Sequence, residues 1–192
     1  MIQSRKLSKL EGINLKVIID TSVLSILFNQ NAKPPIDKET KKPLEHFKER
    51  VNNLIQTLSK EKAQVIIPSP VLTEILIPAT VGQRETIETL SKSPFKITGF
   101  DHRASIECSI MLRRFFSESK NRKEMTSNFN KQKVKFDYQI FSIGLVEQVE
   151  AIYSDDKDIR KLGKKFNIPV IGSNDLEVSL SEKQIKMEFP PN

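Results

Sequence analysis

The sequence predicts a three-layer α/β/α domain with a mostly parallel central sheet, and three observations carry that expectation. Short β-branched runs recur, at Val17-Ile18-Ile19, Val65-Ile66-Ile67 and Val170-Ile171, and read as strands buried on both faces. Amphipathic stretches of helical period alternate with them, which is the signature of parallel strands joined by crossover helices. Acidic residues stand where strands end or helices begin, and open α/β sheets build their sites outside the carboxyl ends of the strands.

With 192 residues the chain is one domain with enough length to bury a core. A hydrophobic fraction of 38% and a charged fraction of 29% describe a globular protein and exclude a disordered one. The net charge of +7 favours an anionic partner, nucleic acid first among them. A single cysteine, Cys108, forbids an internal disulfide and suits a reducing cytoplasm. No run reaches the roughly 20 apolar residues of a membrane helix, so no membrane role is expected. Residues 1–14 read as a polar lead-in, 15–172 as the folded domain and 173–192 as a polar tail.

The first strand, around Val17-Ile18-Ile19, ends in Asp20. Thr21 or Ser22 can cap the helix that follows, whose apolar side is Val23, Leu24, Leu27 and Phe28. Residues 29–43 are rich in Asn, Lys and Pro and read as a long, mobile loop. The spacing of Leu44, Phe47, Val51, Leu54, Ile55 and Leu58 predicts a helix to about Lys60. A second strand, Gln64 to Pro68, meets Ser69-Pro70, a cap and first-turn proline that start a helix carrying Glu74 among apolar neighbours.

A further helix is expected over 82–93, a strand at Phe95 to Thr98, and a helix over 102–116 capped by Asp101, which makes Asp101 a structural acid. Residues 117–135 turn polar and lysine-rich and read as a loop. Lys120, Arg122, Lys131, Lys133 and Lys135 are its candidate phosphate contacts. The next helix is expected to begin at Phe136-Asp137. Asp137 heads the stripe Ile140, Phe141, Gly144, Leu145 and Gln148. A charge heading an apolar stripe calls for a partner or a metal. Gly144 costs a helix about 1 kcal/mol against alanine, which points to close packing there. A strand over 149–153 then runs into Ser154-Asp155-Asp156-Lys157-Asp158, followed by a short helix to Lys165 and a last strand over 167–171.

Four acids far apart in sequence thus share one edge of the sheet, and the pattern resembles the PIN-domain family of metal-dependent ribonucleases. Ile19-Asp20-Thr21-Ser22 stands for its first motif and Pro70-Val71-Leu72-Thr73-Glu74 for its second. Phe136-Asp137 stands for the third, and Tyr153-Ser154-Asp155-Asp156-Lys157-Asp158-Ile159 for the fourth, with serine at 154 where the family usually has threonine.

The resemblance covers residues 16–171. It implies catalytic acids Asp20, Glu74, Asp137 and Asp156, with Asp155 the alternative for the fourth. The same four would ligate Mg²⁺ or Mn²⁺, and Ser22, Ser154 and Thr21 would orient them. A chain with one cysteine and two separated histidines offers zinc little. The activity implied is endonucleolytic hydrolysis of RNA leaving a 5′-phosphate. The setting implied is a VapC-like toxin held by an antitoxin protein, or another PIN nuclease, in the cytoplasm, with a homodimer among the assemblies allowed. Two readings compete with it: a catalytically weak PIN-like RNA-binding or interaction module, and a phosphoacceptor signalling domain.

Overall fold

The computed structural model of the chain describes residues 15–29, 31–37, 39–78, 84, 95–117 and 128–178, the side chains of 128–135 excepted. The expected helix over 82–93, the lead-in over 1–14 and the tail beyond 178 lie outside the described residues.

Five strands, β1 (Lys16–Ile19), β2 (Gln64–Pro68), β3 (Phe95–Thr98), β4 (Ala151–Tyr153) and β5 (Val170–Ile171), form one sheet in the order β3-β2-β1-β4-β5. Every pairing is parallel: Val17 lies between Val65 and Ala151, Val65 beside Phe95, and Ile152 beside Val170. Val17, Ile18, Ile19, Ile66 and Ile152 are essentially inaccessible, as an all-parallel sheet covered on both faces requires. The chain winds outward from β1 to β3 and then returns to lay β4 on the other side of β1. The direction of winding therefore reverses between β1 and β4, the point at whose carboxyl ends open α/β sheets place their crevice.

Six α-helices are described: α1 (Thr21–Phe28), α2 (Phe47–Lys60), α3 (Ser69–Leu76), α4 (His102–Ser117), α5 (Asn128–Glu147) and α6 (Lys157–Phe166). A β-carbon on Gly144 of α5 would stand 3.1 Å from the Cδ1 of Ile18 and 3.8 Å from that of Ile152, so α5 lies directly on that face of β1 and β4. Tyr153 and Ile171, on the opposite face, share a cavity with Arg50, Leu54 and Thr57 of α2. Helices thus cover both faces.

Among the described residues the expected elements are present, with differences at their ends. α5 begins at Asn128, eight residues before Phe136, because no glycine or proline interrupts 128–143 and Lys and Gln propagate a helix well. Asp137 is therefore in mid-helix, and Lys131, Lys133 and Lys135 belong to the helix instead of a loop. The same helix ends at Glu147. Gln148 adopts a left-handed φ of 57° and Val149 N–H reaches Gly144 O, a Schellman ending that removes Gln148 from the stripe.

The two expected serine caps are engaged elsewhere. Asp20 and Pro68 hold the N-cap positions of α1 and α3, neither with a side-chain cap. Ser69 Oγ accepts from Phe100 N–H at 3.3 Å and ties β2 to the segment after β3. Asp101 does cap α4, its Oδ1 accepting from Ala104 N–H at 2.9 Å. Within the expected loop over 29–43, Ile36 and Pro43 form an antiparallel bridge.

Candidate metal centre

β1 and β4 end side by side, and their terminal residues are joined by hydroxyls. Ser154 Oγ donates to Asp20 Oδ2 at 2.6 Å, and Ser22 Oγ donates to the same oxygen at 3.0 Å. Each serine is in turn fixed by a backbone donor, Asp156 N–H onto Ser154 Oγ and Asp155 N–H onto Ser22 Oγ, both at 3.0 Å. This is why Ser22 is not free to cap α1. Asp20 is 5% exposed, and burial pushes its carboxyl above the ordinary value. The bonds from Ser154, the Thr21 N–H and Ser22 oppose that rise, and the nearby charge of Asp156 adds to it.

Beside Asp20, three further carboxylates converge. Single oxygens of Asp137, Asp156 and Asp158 lie within 4.8 Å of one another. Asp137 is brought there by α5, which aims it inward from the same stripe as Ile140 and Phe141. Asp156 is the N-cap of α6, its Oδ1 accepting from Asp158 N–H at 2.6 Å and Ile159 N–H at 3.4 Å. Asp158 stands in the first turn of that helix and pairs with Lys161 Nζ at 2.7 Å.

Carboxylates this close repel one another unless a cation offsets their charge. An all-oxygen set of this kind fits a hard divalent ion such as Mg²⁺ or Mn²⁺, which takes carboxylates, water and phosphate oxygens.

The other expected acids sit differently. Glu74 is exposed on α3, and its Oε2 accepts from Thr21 Oγ1 at 2.5 Å, so it reaches the crevice beside Asp20 without joining the trio. Asp155 turns toward the end of β5. Ser173 N–H donates to its Oδ1 at 2.8 Å and Ser173 Oγ to its Oδ2 at 2.5 Å. Of the adjacent pair, Asp156 faces the trio and Asp155 faces away.

Sequence reasoning alone misses Asp158. An acid just inside a helix ordinarily answers the helix dipole, and the signal available is its closeness to two other aspartates. Lys120 and Arg122 lie outside the described residues, and the side chains of Lys131, Lys133 and Lys135 are likewise outside them. Both histidines are exposed and neither approaches the trio.

No family model matches the sequence, and no curated protein matches it. Among solved structures, the crystal structure of VapC20 from Mycobacterium tuberculosis, a toxin that cleaves the sarcin–ricin loop, aligns at 15% identity over 77% of this chain and 95% of the toxin, with a TM-score of 0.47.

Proposed function

We propose that this protein is a Mg²⁺- or Mn²⁺-dependent endoribonuclease of PIN type. The observation that carries the reading is the convergence of Asp137, Asp156 and Asp158 beside the buried Asp20, at the crevice where the winding of the sheet reverses. Asp137, Asp156 and Asp158 would hold the ion, with Asp20 and Glu74 at the rim of the same crevice. A bound divalent ion supplies activated water and charge compensation at phosphorus.

The chain's own contribution is orientation. Ser154 and Ser22 fix the Asp20 carboxylate, Thr21 fixes Glu74, and the capping bonds from α6 fix Asp156. The overall positive charge draws an RNA strand to an edge whose own acids would repel it.

The test is cleavage of RNA with Mg²⁺ or Mn²⁺ and with chelator, for wild type and Asp137→Asn, alongside thermal melts. Asp137→Asn keeps size and hydrogen bonding but removes charge, so cleavage falls by orders of magnitude while the melting temperature holds or rises. Cleavage that survives both chelator and substitution overturns the reading. The toxin role and the antitoxin partner, which the sequence resemblance adds, are tested by growth arrest on expression and by its relief with the product of a neighbouring reading frame.

A further inference from the structure

The acids of the crevice need cations around them if a phosphate backbone is to approach, and one built element supplies them. Between α1 and α2, the described residues 31–37 and 39–43 fold back on themselves. Asp37 N–H donates to Lys42 O at 2.8 Å, Lys41 N–H to Asp37 O at 3.1 Å, and Leu44 N–H to Pro35 O at 2.8 Å. Asp37 Oδ1 gathers Glu39 N–H, Thr40 N–H and Thr40 Oγ1 within 2.9 Å. Its other oxygen accepts from Asn174 Nδ2 at 2.6 Å. Asn174 follows Ser173, the residue that holds Asp155, and Asp155 adjoins Asp156 of the acidic trio. The hydrogen bond from Asn174 to Asp37 ties this loop to the segment after β5, whose Ser173 holds Asp155, the chain neighbour of Asp156, and Lys33, Lys41 and Lys42 of the loop are exposed.

We propose that residues 31–43 are a phosphate-contacting arm for single-stranded RNA, and that Asn174 is the positioning residue that holds the arm against the acidic crevice. The proposal rests on the ribonuclease reading for the identity of the polyanion. Lysines on a docked arm give a strand leaving the metal centre a fixed place to lie. A loop held only part of the time weakens binding in proportion to the fraction docked.

The experiment measures binding of a fluorescent single-stranded RNA oligonucleotide by anisotropy, in chelator and over a range of salt, so that no cleavage enters the readout. Lys41→Ala with Lys42→Ala should flatten the slope of log K against log salt by about 1.4, at about 0.7 for each phosphate of a single strand that is no longer neutralised. Asn174→Asp sets two carboxylates face to face and should weaken binding severalfold. Adding Asp37→Asn rebuilds a hydrogen bond of the same shape with donor and acceptor exchanged, and should restore the affinity.

Melting temperatures verify that each variant is folded, and a merely structural Asn174 would not change the RNA affinity of a folded protein. An unchanged salt slope in the lysine variant, or no rescue by the exchange, overturns the arm. RNA binding that responds as expected in a protein that never cleaves with metal supports the arm and overturns the nuclease reading alone.

Discussion

Ser154 donates a hydrogen bond from its hydroxyl to Asp20 across 2.6 Å, and through that bond the ends of two strands 134 residues apart are held as one unit. Ser154 is fully buried, so its loss cannot be made good by water. Ser154→Ala leaves Asp20 short of a donor and Asp156 N–H short of an acceptor, at a cost of about 1–3 kcal/mol. Because the Ser154 bond holds the Asp20 carboxyl down against burial, the variant should also titrate Asp20 higher still. Chemical denaturation and carboxyl-carbon NMR measure the two effects. Unchanged stability would show that the bond does not matter energetically.

Asp156 serves the trio and the start of α6 at once, and two substitutions separate those roles. Asp156→Asn keeps an oxygen for the Asp158 and Ile159 N–H groups but not the charge. Asp156→Ala loses both. Each should abolish metal-dependent cleavage, while only the alanine variant should lose the cap, worth about 1 kcal/mol. Equal melting temperatures for the two would mean that the cap contributes nothing.

Gly163 and Gly99 predict opposite outcomes for the same substitution. A β-carbon on Gly163 would sit 2.7 Å from Ile168 O and closer still to Val170 Cγ2, so α6 could not lie where it does against β5. Gly163→Ala should destabilise by about 1–3 kcal/mol. Gly99 has nothing within 4 Å of that position, so Gly99→Ala should be neutral or stabilise by up to about 1 kcal/mol through the unfolded chain. Urea unfolding of the two variants decides the matter.

Asp101 carries a pH prediction. The Ala104 N–H, and then Arg103, hold its carboxyl below the ordinary value of 3.8. A depressed folded pKa contributes stability that is complete above the unfolded value and is lost as pH falls through the folded one. Asp101→Asn retains a capping oxygen, so wild type should melt higher than the variant at neutral pH. That difference should vanish in acid below the ordinary carboxylate range. Melting curves against pH measure it, and a difference that persists in acid would assign it to lost geometry instead of charge.

The sheet is legible in the sequence because β1, β2 and β5 are built on β-branched runs, a composition that suits buried parallel strands. Gly144 is legible for a similar reason, since a mid-helix glycine has few explanations other than a close neighbour, here Ile18. The start of α5 is not, because a polar, lysine-rich helix and a polar loop share a composition. The serines at 22 and 69 look like caps because a hydroxyl serves a cap and a tertiary bond equally well, and the choice depends on Asp155 and Phe100, distant in sequence. Which of Asp155 and Asp156 faces inward is decided by Ser173, beyond any local pattern.

The place of β4 in the sheet has a consequence for how the chain comes to function. It is synthesised fourth but inserted between β1 and β5, with Asp156 and Asp158 immediately behind it. Until it docks, β1 lacks a neighbour on that side, and Asp20 has neither Ser154 nor the company of the two later aspartates. The acids therefore come together only in the long-range closure that pairs β4 with β1. Pairing of the two central strands and gathering of the acids are, by topology, a single event.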